Sequence, residues 1–303
     1  RRAQITRRRL GAKPPVTGAV RMKYRMLAMD VDGTLVGPDS IVSPDIVAAV
    51  SAAAEAGIGL CLATGRSYVE TVPIWRQLHL RRPYQSMIVI GGALVSEPDT
   101  GRSLYQKPIK GEVACRYADA LGQAGHCAMV IVDPWRNDVD YFLTESGDVD
   151  EVQRRWFSKM NVKVRRVRRL ADVRDLPDVL RLSAVVDDGR GAELAGSLKR
   201  RFDGQMNIHP IFAPNYGVMI VEALAAGADK FTALRYVVQG VGMPTAAVAA
   251  VGDDINDLSM IRGAGLGVAM LDSPQEVREA ADHVAASGLS EFIHQLIDGR
   301  FEA

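Results

Sequence analysis

Cysteine is scarce: Cys61, Cys115 and Cys127 are the only three in 303 residues. An odd set without CxxC spacing gives neither a disulfide framework nor a zinc site, so a reducing, cytoplasmic setting is expected. Long apolar runs are missing as well. The Ala-rich stretch from Val47 to Ala63 is broken by Glu55, so no run reaches the roughly 18 residues that a membrane-spanning helix needs. Internal repeats are absent, which sets solenoids aside. With 14 Pro and 28 Gly, the chain is too poor in both for a collagen-like or wholly disordered polypeptide. What is present is 48% hydrophobic and 24% charged residues, enough to bury one large core or two modest ones.

The net charge of +1 conceals an uneven distribution. Residues 1–25 hold nine Arg or Lys and no acid, and taking those nine from +1 leaves −8 on the other 278 residues. An acidic body argues against a nucleic-acid surface on the folded part. The basic residues 1–22 read as a disordered tail, with a nucleic-acid arm or a targeting segment as alternatives. Met22 stands just before the first periodic segment. The functional chain is therefore expected to start near it, and deletion of residues 1–21 to leave activity and melting temperature unchanged.

From residue 24 short apolar runs alternate with helical stretches, the pattern of βα units around a parallel sheet. Core strands are expected at Met26–Met29, Ile58–Ala63, Met87–Ile90, Ala247–Val251 and Leu266–Met270, each apolar on both faces as a doubly covered strand requires. Helix starts are signalled by Ser43-Pro44, by Ser67 with Glu70, and by Ser273-Pro274 with Glu276. The texture changes between residues 97 and 216. Strand-like runs Ala128–Val132, Tyr141–Thr144, Val162–Val167 and Leu180–Val186 alternate there with helices at Val149–Lys159 and Arg190–Phe202. Turn signals at Glu97-Pro98-Asp99 and Ala213-Pro214-Asn215 suggest the edges of an inserted α/β domain. The expected division is a core of 23–96 and 217–303 with an insert of 97–216.

Four polar signals stand at strand ends or helix starts. Asp30-Val31-Asp32-Gly33-Thr34-Leu35 follows the first strand, with two carboxylates where open α/β sheets bind ligands and a glycine that lets the chain turn. Thr64-Gly65-Arg66 follows the second strand where a helix begins, a setting suited to phosphate. Lys230 opens a helix after Gly227-Ala228-Asp229. Gly252-Asp253-Asp254-Ile255-Asn256-Asp257 follows a later strand, and helix capping accounts for one of its acids but hardly for three. Each signal alone is weak: Asp-x-Asp occurs in plain turns, the triplet suits an ordinary capped turn, and a lone lysine is usually solvated.

Taken together and in this order, the four segments resemble the motifs of the haloacid dehalogenase superfamily of phosphatases. Roughly 120 residues separate the second and third, which is similar to the Cof-like branch with a type IIB cap, as is Ala264-Gly265-Leu266-Gly267-Val268-Ala269-Met270. The resemblance implies a Rossmann-like parallel-sheet core with the insert as cap. By motif position Asp30 becomes the nucleophile and Asp32 the general acid and base. Thr64, Gly65, Lys230 and Asn256 become holders of the phosphoryl group, with Arg66 at the mouth of the core. Mg²⁺ falls to Asp30, the Asp32 backbone carbonyl and Asp253, with Asp257 in the outer shell or as an alternative ligand.

Substrate contacts from the insert are sought among His126, Trp135, Arg136, His209, Asn215 and Tyr216. Two departures from the family pattern bear on the substrate. Gly91-Gly92-Ala93 stands where relatives often have Asn-Gly-Ala, and Asp254 replaces a glycine, adding negative charge near the metal. The expected activity is Mg²⁺-dependent hydrolysis of a small phosphate ester, sugar phosphates first, by a monomer or homodimer. A phosphomutase is the close rival. A glycosyltransferase leaves Lys230 and the last acidic cluster unexplained, and a phospho-accepting receiver needs neither the insert nor Asp32.

Overall fold

A computed structural model of the chain describes residues 22–80, 85–145, 154, 157–158, 162–186, 190–213 and 217–301. The basic tail as far as Arg21, most of the expected helix 149–159, and both Asn215 and Tyr216 lie outside the described residues. In chain order the strands and helices begin β1 (Met26–Met29), α1 (Pro44–Glu55), β2 (Gly59–Ala63), α2 (Tyr68–Gln77), β3 (Gln85–Val89), β4 (Leu94–Ser96) and β5 (Ser103–Gln106). There follow α3 (Gly111–Gln123), β6 (Met129–Val132), β7 (Tyr141–Thr144), β8 (Val164–Val167), β9 (Val179–Val186), α4 (Arg190–Arg201), β10 (Met206–Ala213) and β11 (Val218–Ala225). The last are α5 (Lys230–Gly240), β12 (Val248–Gly252), α6 (Leu258–Gly263), β13 (Leu266–Met270), α7 (Gln275–Ala280), β14 (His283–Ala285) and α8 (Leu289–Ile297).

The chain forms two compact units. The first gathers residues up to Ala63, Ile74–Met87 and everything from Lys230 onward. Its strands run in the order β14-β13-β12-β1-β2, all parallel. All four residues of β1 are buried, because β1 is paired on both edges and covered on both faces. That is why its sequence is apolar throughout instead of alternating. In the register Met29 lies opposite Val251 on one side and Leu62 on the other, so the chain emerges from β1, β2 and β12 at neighbouring points. Helix α1 starts as its sequence implies, with the Ser43 hydroxyl accepting from the Ile46 N–H at 3.4 Å and Pro44 in the first turn. Helix α7 does not: its N-cap is Pro274, and among the described residues no side chain caps it and the buried Ser273 hydroxyl has no hydrogen-bond partner.

The second unit comprises Thr64–Pro73 and Ile88–Asp229. Its six-stranded sheet has the order β10-β11-β9-β6-β7-β8, antiparallel except for the β7–β8 pair. Strand β9 sits inside this sheet with all eight residues buried, α3 packs on it, and α4 packs on β10 and β11. Tyr117 of α3 meets Phe202, the residue after α4, edge to face at 5.1 Å.

Both turn signals expected to edge the insert lie between two strands that pair antiparallel with each other. Glu97 and Arg102 bond across the β4–β5 turn, and β10 and β11 pair along their whole length on either side of residues 214–216. The chain thus leaves this sheet after Ala225, not at residue 216. Hairpin turns and domain linkers use the same Pro, Asp and Asn residues, so turn chemistry alone does not separate them.

Candidate active site

In the first unit the acidic segments meet where β1 and β12 end. The Asp30 N–H donates to Val251 O at 2.9 Å, continuing the β1–β12 pairing by one residue. Three residues later the chain must turn back, and Gly33 does so at φ +81°, a conformation that costs a residue with a side chain strain. A β-carbon on Gly33 would stand 2.2 Å from Asp253 Oδ2, and one on Gly252 would stand 2.4 Å from the Asp257 carboxyl carbon. Both glycines give carboxylates room to press against backbone.

Carboxylate oxygens of Asp30, Asp253 and Asp257 all lie within 4.8 Å of one another. Lys230, the first residue of α5 and only 1% exposed, reaches into this group. Its ammonium donates to Asp30 Oδ1 at 2.5 Å, to Asp257 Oδ1 at 2.6 Å and to Asn256 Oδ1 at 3.2 Å. The other oxygen of Asp257 accepts the N–H groups of Asp253 and Asp254, each at 3.1 Å, so this fully buried acid is held on both sides. Asp253 is fixed by the Thr34 hydroxyl, which donates to its Oδ1 at 2.9 Å. Asp32 is exposed. Asp254, expected to add charge near a metal, turns its carboxylate to the Ile255 N–H at 2.7 Å and caps its own helical turn.

These contacts set the protonation tendencies. Burial raises the Asp30 carboxyl well above the ordinary aspartate value, and the attraction of Lys230 offsets this only in part while Asp257 adds repulsion. Burial likewise lifts Asp253 to about 6, against the Thr34 hydrogen bond and with help from Asp257. At Lys230 burial opposes the charge, yet Asp257 and Asp30 override it and hold the ammonium protonated above the ordinary lysine range. Asp30 and Asp253 are thus carboxylates reluctant to ionise without more positive charge. Three hard oxygen donors, with little space left over Gly33, suit a small divalent cation such as Mg²⁺.

The Thr64-Gly65-Arg66 turn belongs to the second unit, two residues past Leu62, which pairs with Met29. Thr64 is fully buried, and its backbone is held through Thr64 N–H to Ile88 O and Gly91 N–H to Thr64 O, each at 2.9 Å. The Arg66 N–H donates to the Thr64 hydroxyl oxygen at 3.1 Å. Among the described residues a β-carbon on Gly65 would meet nothing within 4 Å, so no packing among them demands glycine there. The following helix opens with the Ser67 N–H on Glu70 at 3.0 Å.

Sequence reasoning missed Thr34, Arg181 and Glu222. Arg181 is buried on β9, where its guanidinium donates to Gly65 O at 2.7 Å and pairs with Glu222 of β11 at 3.3 Å. Its signal was visible, an arginine in the midst of the apolar run Leu180–Val186. Of the candidates from the insert, His209 lies on β10 opposite Glu222, and burial lowers its pKa. Trp135 is 53% exposed, Arg136 pairs with Asp133 at 3.3 Å, and His126 is half-buried after α3.

Comparison with known proteins places this geometry among relatives. The family described as haloacid dehalogenase-like hydrolase matches residues 27–293. Pyridoxal phosphate phosphatase YbhA of Escherichia coli (strain K12) is 24% identical over 289 residues, covering 91% of this chain and 98% of that protein. The 5-amino-6-(5-phospho-D-ribitylamino)uracil phosphatase YitU of Bacillus subtilis (strain 168) is 25% identical over 281 residues, covering 90% and 97%. Among solved structures, a haloacid dehalogenase-like hydrolase from Bacteroides thetaiotaomicron superposes with a TM-score of 0.73 at 25% identity, covering 90% of this chain and all of that one. Among the described residues no helix is long and apolar enough to cross a membrane.

Proposed function

The chain belongs to the haloacid dehalogenase-like hydrolase family as a phosphoric monoester hydrolase, and from that premise we propose a Mg²⁺-dependent phosphatase that works through an aspartyl-phosphate. The observation that carries the proposal is the pairing of Lys230 with Asp30 at 2.5 Å inside a cluster of three carboxylates. A phosphate dianion cannot approach such a cluster unless cations offset the repulsion. Mg²⁺, when held by Asp30, the Asp32 carbonyl and Asp253, with Asp257 in the outer shell or as an alternative ligand, supplies most of that offset.

The remaining steps belong to side chains. Asp30 Oδ attacks phosphorus in line, the P–O bond to the leaving group breaks, and Asp32 gives its proton to the departing alkoxide oxygen. Asp32 then takes a proton from the water that attacks the acyl-phosphate, releasing inorganic phosphate and restoring Asp30. Lys230 and Asn256, together with the Thr64 hydroxyl, the Gly65 N–H and Arg66, hold the phosphoryl oxygens. The open space over Gly65 supports close approach of a ligand to its backbone. The second unit acts as the cap that excludes water and reads the leaving group, with His126, Trp135, Arg136 and His209 as candidate contacts.

The substrate is a small phosphate ester, with sugar phosphates first, met in the cytoplasm by a monomer or homodimer. Two relatives named for different small phosphomonoesters support the class. Phosphate release across a panel of such esters tests the reading. Mg²⁺-dependent release that EDTA stops and Asp30→Asn abolishes is expected. Normal turnover by Asp30→Asn would remove the nucleophile, and an isomerised ester formed without free phosphate would make the enzyme a mutase.

A further inference from the structure

We propose that Arg181 is a positioning residue for the phosphate-binding turn, acting through the Gly65–Arg66 peptide on the Thr64 hydroxyl. The inference rests on the phosphatase reading and deepens it. One peptide unit is held at both ends. Its carbonyl, Gly65 O, accepts from Arg181 Nη1 at 2.7 Å, and its N–H, on Arg66, donates to Thr64 Oγ1 at 3.1 Å. With that lone pair occupied, the Thr64 hydroxyl is oriented to give its proton to another acceptor, here a phosphoryl oxygen. A cation on the carbonyl end also polarises the peptide, strengthening the N–H as a donor and the hydroxyl behind it in turn.

Arg181 is built for this task. Its side chain is 7% exposed on a strand whose eight residues are all buried, and Glu222 on the adjacent strand, 12% exposed, holds its Nη1 from the other side at 3.3 Å. Burying a charge is costly unless partners satisfy it. Among the described residues the Arg181 Nε has no hydrogen-bond partner, so the group forgoes one of its own bonds while keeping the one to Gly65. A merely structural ion pair has no need to reach a backbone carbonyl 116 residues away in sequence.

A double-mutant cycle on the full chain tests the chain of contacts. Arg181→Met is expected to lower kcat by about tenfold or more with KM little changed, as for loss of a charge-assisted hydrogen bond acting in the transition state. In a Thr64→Val background the same change is expected to cost less than about twofold, because the group it acts through is gone. Arg181→Lys keeps one cationic donor and recovers part of the loss.

Amide exchange gives a readout independent of turnover. The Arg66 N–H is expected to exchange faster in Arg181→Met while amides of β9 keep their protection, and Arg181→Lys serves if the methionine variant does not fold. Losses that multiply in the two Thr64 backgrounds, or Arg66 exchange left unaltered, would overturn the proposal. If the wild-type chain releases phosphate from no ester, the phosphatase reading fails and the catalytic role of Arg181 falls with it; Arg66 exchange then still judges the clamp.

Discussion

Replacing Gly33 by alanine separates the cost of a backbone turn from the cost of crowding a metal ligand. At φ +81° an L-residue pays about 1–2 kcal/mol of strain, a fall of a few degrees in Tm. The added β-carbon would also lie 2.2 Å from Asp253 Oδ2, where contacts under 3.0 Å force a shift. The carboxylate must therefore retreat by roughly 1 Å, and its hydrogen bond from Thr34 goes with it. Swinging a carboxylate aside adds little to the loss of stability. Mg²⁺, however, tolerates only near-ideal octahedral oxygen geometry, and misplacement on the order of 1 Å costs about a hundredfold in rate.

Gly57→Ala is the matched control, since Gly57 has φ +91° and none of the described residues lies within 4 Å of the added atom. Both variants are expected to melt a few degrees lower, measured by thermal denaturation in EDTA. Gly33→Ala alone is expected to lose about a hundredfold in kcat/KM and to need more Mg²⁺ for half-maximal activity. Equal Mg²⁺ requirement and turnover in the two variants would refute the placement of Asp253 as a ligand crowded against Gly33.

Removing the ammonium with Lys230→Ala leaves Asp30 and Asp257 buried without their cation, at a cost of about 3–5 kcal/mol in denaturant unfolding. Turnover is expected to fall at least roughly a hundredfold in the same phosphate-release assay, and near-normal activity would show that Lys230 is not part of the reaction. Mg²⁺ and protons are expected to compete at Asp253. Its carboxyl titrates at about 6 in the fold against 3.8 ordinarily, so the folded state binds the proton more tightly and stability without metal falls as pH rises between these values. The Tm gain from Mg²⁺ is therefore expected to be larger at about pH 7.5 than at about pH 5, and equal gains would contradict it.

The sequence by itself determined the class of fold and the polar segments at its strand ends. Met26–Met29 and Leu266–Met270 could be read as buried parallel strands because burial on both faces leaves only apolar residues, a purely local record. The placement of Asp30, Asp253 and Asp257 after such strands or their first turns put them on one sheet edge, and the resemblance of their segments to the dehalogenase motifs made them a candidate metal site. Only the tertiary structure decided who touches whom. Lys230 meets Asp30 across 200 residues and Arg181 meets Gly65 across 116, and periodicity carries no information at that range. The turn-forming residues at Glu97–Asp99 and after Ala213 read as domain edges for the same reason. A turn's residues record how sharply the chain bends, whereas pairing partners are chosen by side chains far away in the sequence.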